Sequence, residues 1–517
     1  MSIDPQRYPE LTPDLERGLS PRALKYFGAG AIVACVTIGS GETVFASRGG
    51  AIFGYAMIWC FVLGALCKAM LIYSGARFIT LTGCSPLQSW AQLPGLRGWF
   101  VPIVAVLTCL CMPLWLAGLP GMLGDFSNWV VGIQDPSTAV GFSDLPIAEQ
   151  QAQMVQYQIY GRYWGTFYVL VALGITWLQS YGFLETVQTL IVALLLICMV
   201  IAAIVSQIDW GAMFVGLVPS LPDYQPWVKQ NYPELTQRSP WIEIMVYLGV
   251  IGGGAHDYFG YLGMLREKAW GLLGRGDATE PIESLTLATD AENIRRGRRW
   301  LLPPQIDVTM ATMAILLFTC CFVILGANVL HTNQTIPNGF TLLTDQAKFL
   351  DVLVGGETRV NDDRTTLQWL IGWVYNTGIF FAFFGTILGA CEIYVRTVRE
   401  CLVAIYPALI HYPLKTFRRW VLLVAGGGGI GLMWAFMKLE ARLFVEPASL
   451  IGSGLVCGLW CFAMLYSERY HLPAKLRMAK ATRLAVFCAG VVLTLGPLIG
   501  LVGYVQYVFG IEPSHSM

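Results

Sequence analysis

The sequence predicts an all-α polytopic membrane protein of about eleven transmembrane helices, built as two inverted five-helix repeats with broken first and sixth helices. Three observations predict it. The chain is 55% hydrophobic and 13% charged, against roughly 25% charged in ordinary soluble domains. Apolar runs of about twenty residues, the length that crosses a bilayer, recur along the chain. Two of those runs carry glycine-rich breaks followed at once by ionisable residues: Gly39-Ser40-Gly41-Glu42 and Gly252-Gly253-Gly254-Ala255-His256-Asp257.

In chain order the runs are Tyr26–Ser47, Ala51–Phe78, Trp99–Leu123, Tyr163–Gln179, Phe183–Ile208, Trp241–Leu265, Val308–Leu330, Leu370–Val395, Trp420–Met437, Ala448–Leu465 and Leu484–Phe509. The links between them alternate in basic charge. Arg266, Lys268, Arg275, Arg295, Arg296, Arg298 and Arg299 follow the sixth run, and a second basic group, from Arg396 to Arg419, follows the eighth. A third, from Arg469 to Arg483, follows the tenth, whereas residues 124–161 contain no Lys or Arg. The positive-inside rule then places the N-terminus in the cytosol and the C-terminus outside. With that orientation the first run points outward and the sixth inward, which makes the two sets of five inverted. The expected organisation is a cytosolic tail over 1–23, a first repeat over 24–208, an outer loop over 209–240, a second repeat over 241–466, and an appended helix and tail over 467–517. The polar first twenty residues contain no apolar core, so no cleavable signal peptide is expected.

Zero formal net charge gives no footing for a nucleic-acid partner; the bilayer is the partner that composition implies. The 14 cysteines fall mostly within apolar runs, where a thiol packs as a small hydrophobe. Their spacing fits neither a disulfide framework nor a zinc site. No cofactor is expected.

A bilayer cannot hydrogen-bond exposed backbone, so an unwound helix survives there only when it lines a cavity or is buried in protein. Paired breaks are therefore the sequence's best pointer to the substrate site of a secondary transporter. The candidate substrate-binding residues are Gly39, Ser40, Gly41 and Glu42 on the first break, and Gly252, Gly253, Gly254, His256, Asp257 and Tyr258 on the second. Glu42 and Asp257 are candidate oxygen ligands for a metal ion. Lys68 lies about ten residues, ~15 Å of helix rise, from the inner end of the second run. That is too deep for its ammonium to reach water, so a buried carboxylate, Glu42 or Asp257, is its expected partner. Glu42, Lys68, His256 and Asp257 are the groups available for charge balance or proton coupling, because buried ionisable residues in a membrane are costly unless they function or pair. Glu392 and Arg396, four apart, read as an intrahelical ion pair. Gly426-Gly427-Gly428-Gly429 reads as close helix packing.

The stretch from Gly28 to Gly83 resembles the opening of the natural-resistance-associated macrophage protein (Nramp) metal transporters, within the amino acid-polyamine-organocation superfamily. Gly49-Gly50-Ala51-Ile52-Phe53-Gly54-Tyr55 matches the family's glycine-rich turn. Counting back, the family's Asp-Pro-Gly-Asn motif falls on Gly39-Ser40-Gly41-Glu42, and its Met-Pro-His motif falls near Gly253-Gly254-Ala255. The resemblance implies a leucine-transporter-like fold and proton-coupled divalent metal transport from a bacterial inner membrane. Here the motif's aspartate is glycine, its asparagine is glutamate and its methionine is absent. Without the thioether, the remaining oxygens suit a hard cation. Ile38-Gly39-Ser40-Gly41 also resembles the Gly-Ser-Gly of amino-acid permeases, which implies carriage of a small carboxylate or amino acid. A transport-inactive membrane subunit is a further reading. A membrane enzyme built on His256 and Asp257 is the weakest reading, since no nucleophile accompanies them.

Overall fold

Out of water a backbone must bond to itself, so the apolar runs wind into helices wherever the winding can continue. The structure is a computed structural model and describes residues 5–18, 25–95, 98–139, 141–178, 193–194, 196–275, 282–337, 341–350 and 366–508. The helices that position the site are α1 (Ala29–Thr37), α2 (Ser47–Phe53), α3 (Ile58–Thr82), α4 (Phe100–Val130), α5 (Ile147–Leu178), α6 (Pro240–Val250), α7 (Ala255–Lys268), α8 (Leu302–Leu325), α9 (Thr366–Ile405), α10 (Leu414–Ala435), α11 (Arg442–Ala448), α12 (Val456–His471) and α13 (Lys480–Val508). Among the described residues there is no β-strand beyond an isolated bridge between Gln6 and Leu287. The first part of the predicted fifth span, residues 183–192 with Glu185, lies outside the described residues; Leu196–Val205 is helical.

Six helices are long and apolar enough to cross a membrane by length and composition. The sixth predicted span is absent from that set because its break divides it into α6 and α7, each too short alone. Apolar side chains such as Phe167, Leu170, Leu423, Val424, Leu495 and Ile499 are exposed along α5, α10 and α13. Exposed apolar surface of this extent is what an integral membrane protein presents to lipid.

The two breaks differ in form. At the first, α-winding gives way to a π-helical segment, Ile38–Ala46, which leads directly into α2. The chain stays wound but widened, rather than unwound as expected. The wider turn frees carbonyls that side chains then engage: Thr43 Oγ1 donates to the Ile38 carbonyl at 2.6 Å, and Gln346 Nε2 donates to the Thr43 carbonyl at 2.9 Å. A π segment inside an α-helix commonly marks a functional position. The sixth span is unwound outright. Gly252 and Gly253 have φ of 75° and 90°, in the left-handed region where glycine alone is at ease.

The π segment packs against α6, α8 and α9, which brings the first break against the second. Gly41 lies against Val250, the last residue of α6. The glycine run of α10 closes helix contacts as expected: Gly429 sits on Leu116 of α4 and Gly426 on Leu173 of α5. Residues 5–18 do not hang free. Gln6 N donates to the Thr286 carbonyl at 2.7 Å, and the buried Tyr8 hydroxyl donates to the Leu81 carbonyl at 2.9 Å. This segment lies across what we call the near face. Residues 209–240, expected as an outer loop, contain three short helices over the far face.

Candidate functional site

Breaking a helix leaves carbonyls at the end of one half and amides at the start of the other, and each buried group needs a partner. In this chain the partners are the residues that the sequence singled out. Glu42 Oε1 accepts the Gly252 amide at 2.9 Å. Asp257 Oδ2 accepts the Gly254 amide at 2.8 Å and so caps α7. The Tyr258 hydroxyl donates to the Gly252 carbonyl at 2.6 Å. Lys68 Nζ donates to the carbonyls of Gly249 and Gly253.

The last contact corrects an expectation. Among the described residues no carboxylate pairs directly with the Lys68 ammonium; it sits instead on the carbonyl end of α6. A cation is favoured there by the negative end of the half-helix dipole, and two carbonyl oxygens take the place of a counter-ion. The opposite arrangement holds at α7, where the Asp257 carboxylate meets the positive end. Each half-helix is thus neutralised by a side chain of opposite sign.

Glu42 is fully buried and its Oε2 makes no hydrogen bond among the described residues. His256 lies beside Gly254 at the start of α7. Its Nε2 lies 3.3 Å from Asp257 Oδ2, and its ring packs against Trp115 and Tyr394. His256 Nδ1 has no partner among the described residues. Gly39 is pressed against the Ala382 carbonyl and the Thr386 hydroxyl of α9, so a Cβ there would collide. The side chain of Ser40 lies outside the described part. Glu42, Lys68, Asp257 and Tyr258 therefore converge on residues 249–254, and the His256 ring packs against Gly254, whereas Gly39 faces α9. Among the described residues no group of three or more His, Cys, Asp or Glu could hold a metal ion.

Sequence reasoning missed two features. Asp307, just before the predicted seventh span, is buried and accepts the amides of Gly28 and Gly30, each at 2.8 Å, and the Tyr261 hydroxyl at 2.9 Å. It pins the start of α1 to α7 and α8 on the near face. The second is a buried ionic cluster on the far face. Glu243 meets Arg48 at 3.4 Å and Arg442 at 3.8 Å, while Glu446 meets Arg442 at 2.9 Å and Arg238 at 3.1 Å. The available signal was charged residues at several span ends that converge only in the fold. The expected Glu392–Arg396 pair is present at 2.6 Å, and Arg418 joins it at 2.8 Å. With both faces tied and Glu42 fully buried, the break lies sealed from either side.

A family model described as natural resistance-associated macrophage protein-like matches residues 152–361, which include the second break. Over that stretch the chain is similar to the Nramp family. Its Nramp-like match does not reach Gly28–Gly83, where the motif resemblance lies. No curated protein matches the sequence. A crystal structure of the Eremococcus coleocola manganese transporter covers 99% of this chain and 92% of its own, at 14% identity and a TM-score of 0.63. The same transporter bound to an aromatic bis-isothiourea compound aligns at 15% identity and a TM-score of 0.63, with 99% of this chain and 92% of its own covered. MhsT bound to L-phenylalanine aligns at 13% identity and a TM-score of 0.52, over 92% of this chain and 98% of its own. At such identities the likeness establishes a shared fold, the inverted 5+5 arrangement with interrupted first and sixth helices.

Proposed function

We propose that this Nramp-like chain is an alternating-access secondary transporter that carries a hard inorganic metal cation, with Glu42 as its principal side-chain ligand. One observation carries this reading: a fully buried carboxylate oxygen, Glu42 Oε2, left without a hydrogen-bond partner at the crossing of the two helix breaks. Glu42 and Asp257 against Lys68 give one excess negative charge, which favours a cation. The likeness to a manganese transporter and the family match support a metal ion as cargo. The groups at the crossing are carboxylate and carbonyl oxygens, which suit a hard, partly hydrated ion over a soft one.

Carriage of a small carboxylate or amino acid has less support. The amides of Gly252 and Gly254, which would hold a substrate carboxylate, are already engaged by Glu42 and Asp257. Proton coupling fits the buried Glu42 and His256, and an N-terminus on the cytosolic side of a bacterial inner membrane fits the basic links. Uptake into proteoliposomes decides the reading, with Mg²⁺, Mn²⁺, Ca²⁺, Cd²⁺ and mixed amino acids and carboxylates as solutes. Saturable uptake of a hard cation is expected, with no high-affinity Cd²⁺ or Mn²⁺ transport. An inert protein would leave a transport-inactive subunit as the better reading. Micromolar Cd²⁺ uptake that survives Glu42→Gln would overturn the proposal.

A further inference from the structure

The carbonyl end of a broken transmembrane helix is a cradle for a positive charge, and here the protein's own ammonium fills it. Lys68 comes from α3, is almost fully buried, and donates to the carbonyls of Gly249 and Gly253, which flank the unwound turn. Its methylene stem runs past Gly252, whose amide is bound by Glu42. The ammonium and the Glu42 carboxylate therefore both bind the stretch from Gly249 to Gly253.

We propose that Lys68 is a tethered cation that sets the selectivity of the site. While its ammonium holds the two carbonyls, a mobile ion has only Glu42 and water as partners. A divalent ion gains the carbonyls of Gly249 and Gly253 only when Lys68 withdraws. This inference rests on the cation-transport reading and deepens it. Hard divalent ions prefer six or more oxygens and bind weakly to one carboxylate. A fixed positive charge nearby opposes a second one more strongly in a water-poor interior than in solution. Lys68 thus keeps the resting site from trapping divalent ions, and its release links ion entry to a rearrangement of α3 against α6.

Calorimetric titration of the purified full-length protein with MgCl₂, MnCl₂ and CaCl₂ tests this, using wild type, Lys68→Met, Lys68→Gln and the double variant Lys68→Met with Glu42→Gln. Glutamine retains donors for the carbonyls without the charge, so it serves where the methionine variant fails to fold. Divalent affinity should rise about tenfold or more on loss of the lysine charge, and the double variant should lose that gain. Folded Lys68 variants that bind divalent ions no tighter than wild type overturn the proposal. If neither variant folds, wild-type crystals grown in MnCl₂ decide. An anomalous peak on the Gly249 and Gly253 carbonyls with Lys68 displaced, or no peak there while the ammonium stays seated, supports it; a peak at those carbonyls or at Glu42 with the ammonium still seated overturns it. Uptake separates this inference from the broader one. Wild-type cation uptake with unchanged affinity in the variants keeps the transporter and removes this role for Lys68. Tight binding in the variants with no wild-type cation uptake keeps the cradle and removes the cation as cargo.

Discussion

Gly253 has φ of 90°, and a Cβ there would lie 2.6 Å from Thr37 Cγ2 and 2.7 Å from Asp257 Oδ2. Strain and collision act together. Gly253→Ala should cost about 1–3 kcal/mol from backbone strain, and Gly253→Leu should abolish transport while membrane insertion persists. Full uptake by the leucine variant would show that the turn is not part of the path. Glu42→Gln makes a cleaner test, because the amide oxygen can still accept from Gly252 N. The melting temperature should move little while cation uptake disappears, so paired melting and uptake measurements separate ligand loss from misfolding. Both residues were legible in the sequence, since glycine and carboxylate are rare company within an apolar span. The partner of Lys68 was not, because carbonyls of a broken helix leave no mark on residue type.

At the scale of elements, the far-face cluster ties α2, α6 and α11 together through Arg48, Glu243, Arg442 and Glu446. Removing one member strands the others in a dry interior. Glu243→Ala should therefore destabilise the fold by about 3–5 kcal/mol. Replacing Arg48 by Met together with Glu243 by Leu should recover part of that loss in denaturant melts; strictly additive losses would show that the pair is not coupled. Asp307 does comparable work on the near face by capping α1. Asp307→Asn substitutes an amide donor for one of two accepting oxygens and should cost about 1–3 kcal/mol. A thermal melt unchanged by the replacement would remove Asp307 from the closure. The first break shows the limit of reading elements from sequence. Glycines announce that regular α-winding ends, but whether it ends in a π turn or an unwound one depends on neighbours. Gln346 and Thr43 satisfy the widened turn, while α9 leaves Gly39 no room to bulge.

Over the whole molecule, the N-terminal segment acts as a strap. Tyr8 N donates to Asn293 Oδ1 at 2.8 Å, and Trp300 Nε1 donates to the Pro9 carbonyl at 3.2 Å. The Tyr8 ring fills space beside Gly297 and Leu476. The proposed alternating access would require the near face to open, and this strap lies across it. Tyr8→Ala should cost about 3–5 kcal/mol, as for other buried aromatics, and expose residues 5–18 to limited proteolysis. Unaltered cleavage would mean that the segment opens independently of its anchor. The far-face cluster and Asp307 tie the two sides around the buried break, so the proposed transport cycle would release each tie in turn.

Sequence alone determined the membrane class, the near-continuous series of spans, the positions of both helix breaks and most residues that meet there. These follow from one-dimensional physics: apolar length against bilayer thickness, glycine against helical winding, and the cost of burying charge. Tertiary structure decided which groups touch. Asp257 became a cap, His256 packed between Gly254 and Trp115, and Lys68 found carbonyls instead of a carboxylate. Among the described carboxylates at the two breaks, Glu42 kept an oxygen without a partner. Such outcomes depend on how α3, α6 and the π segment are placed in space, where an ångström separates a satisfied oxygen from an available one. Residue spacing along the chain does not contain that distance.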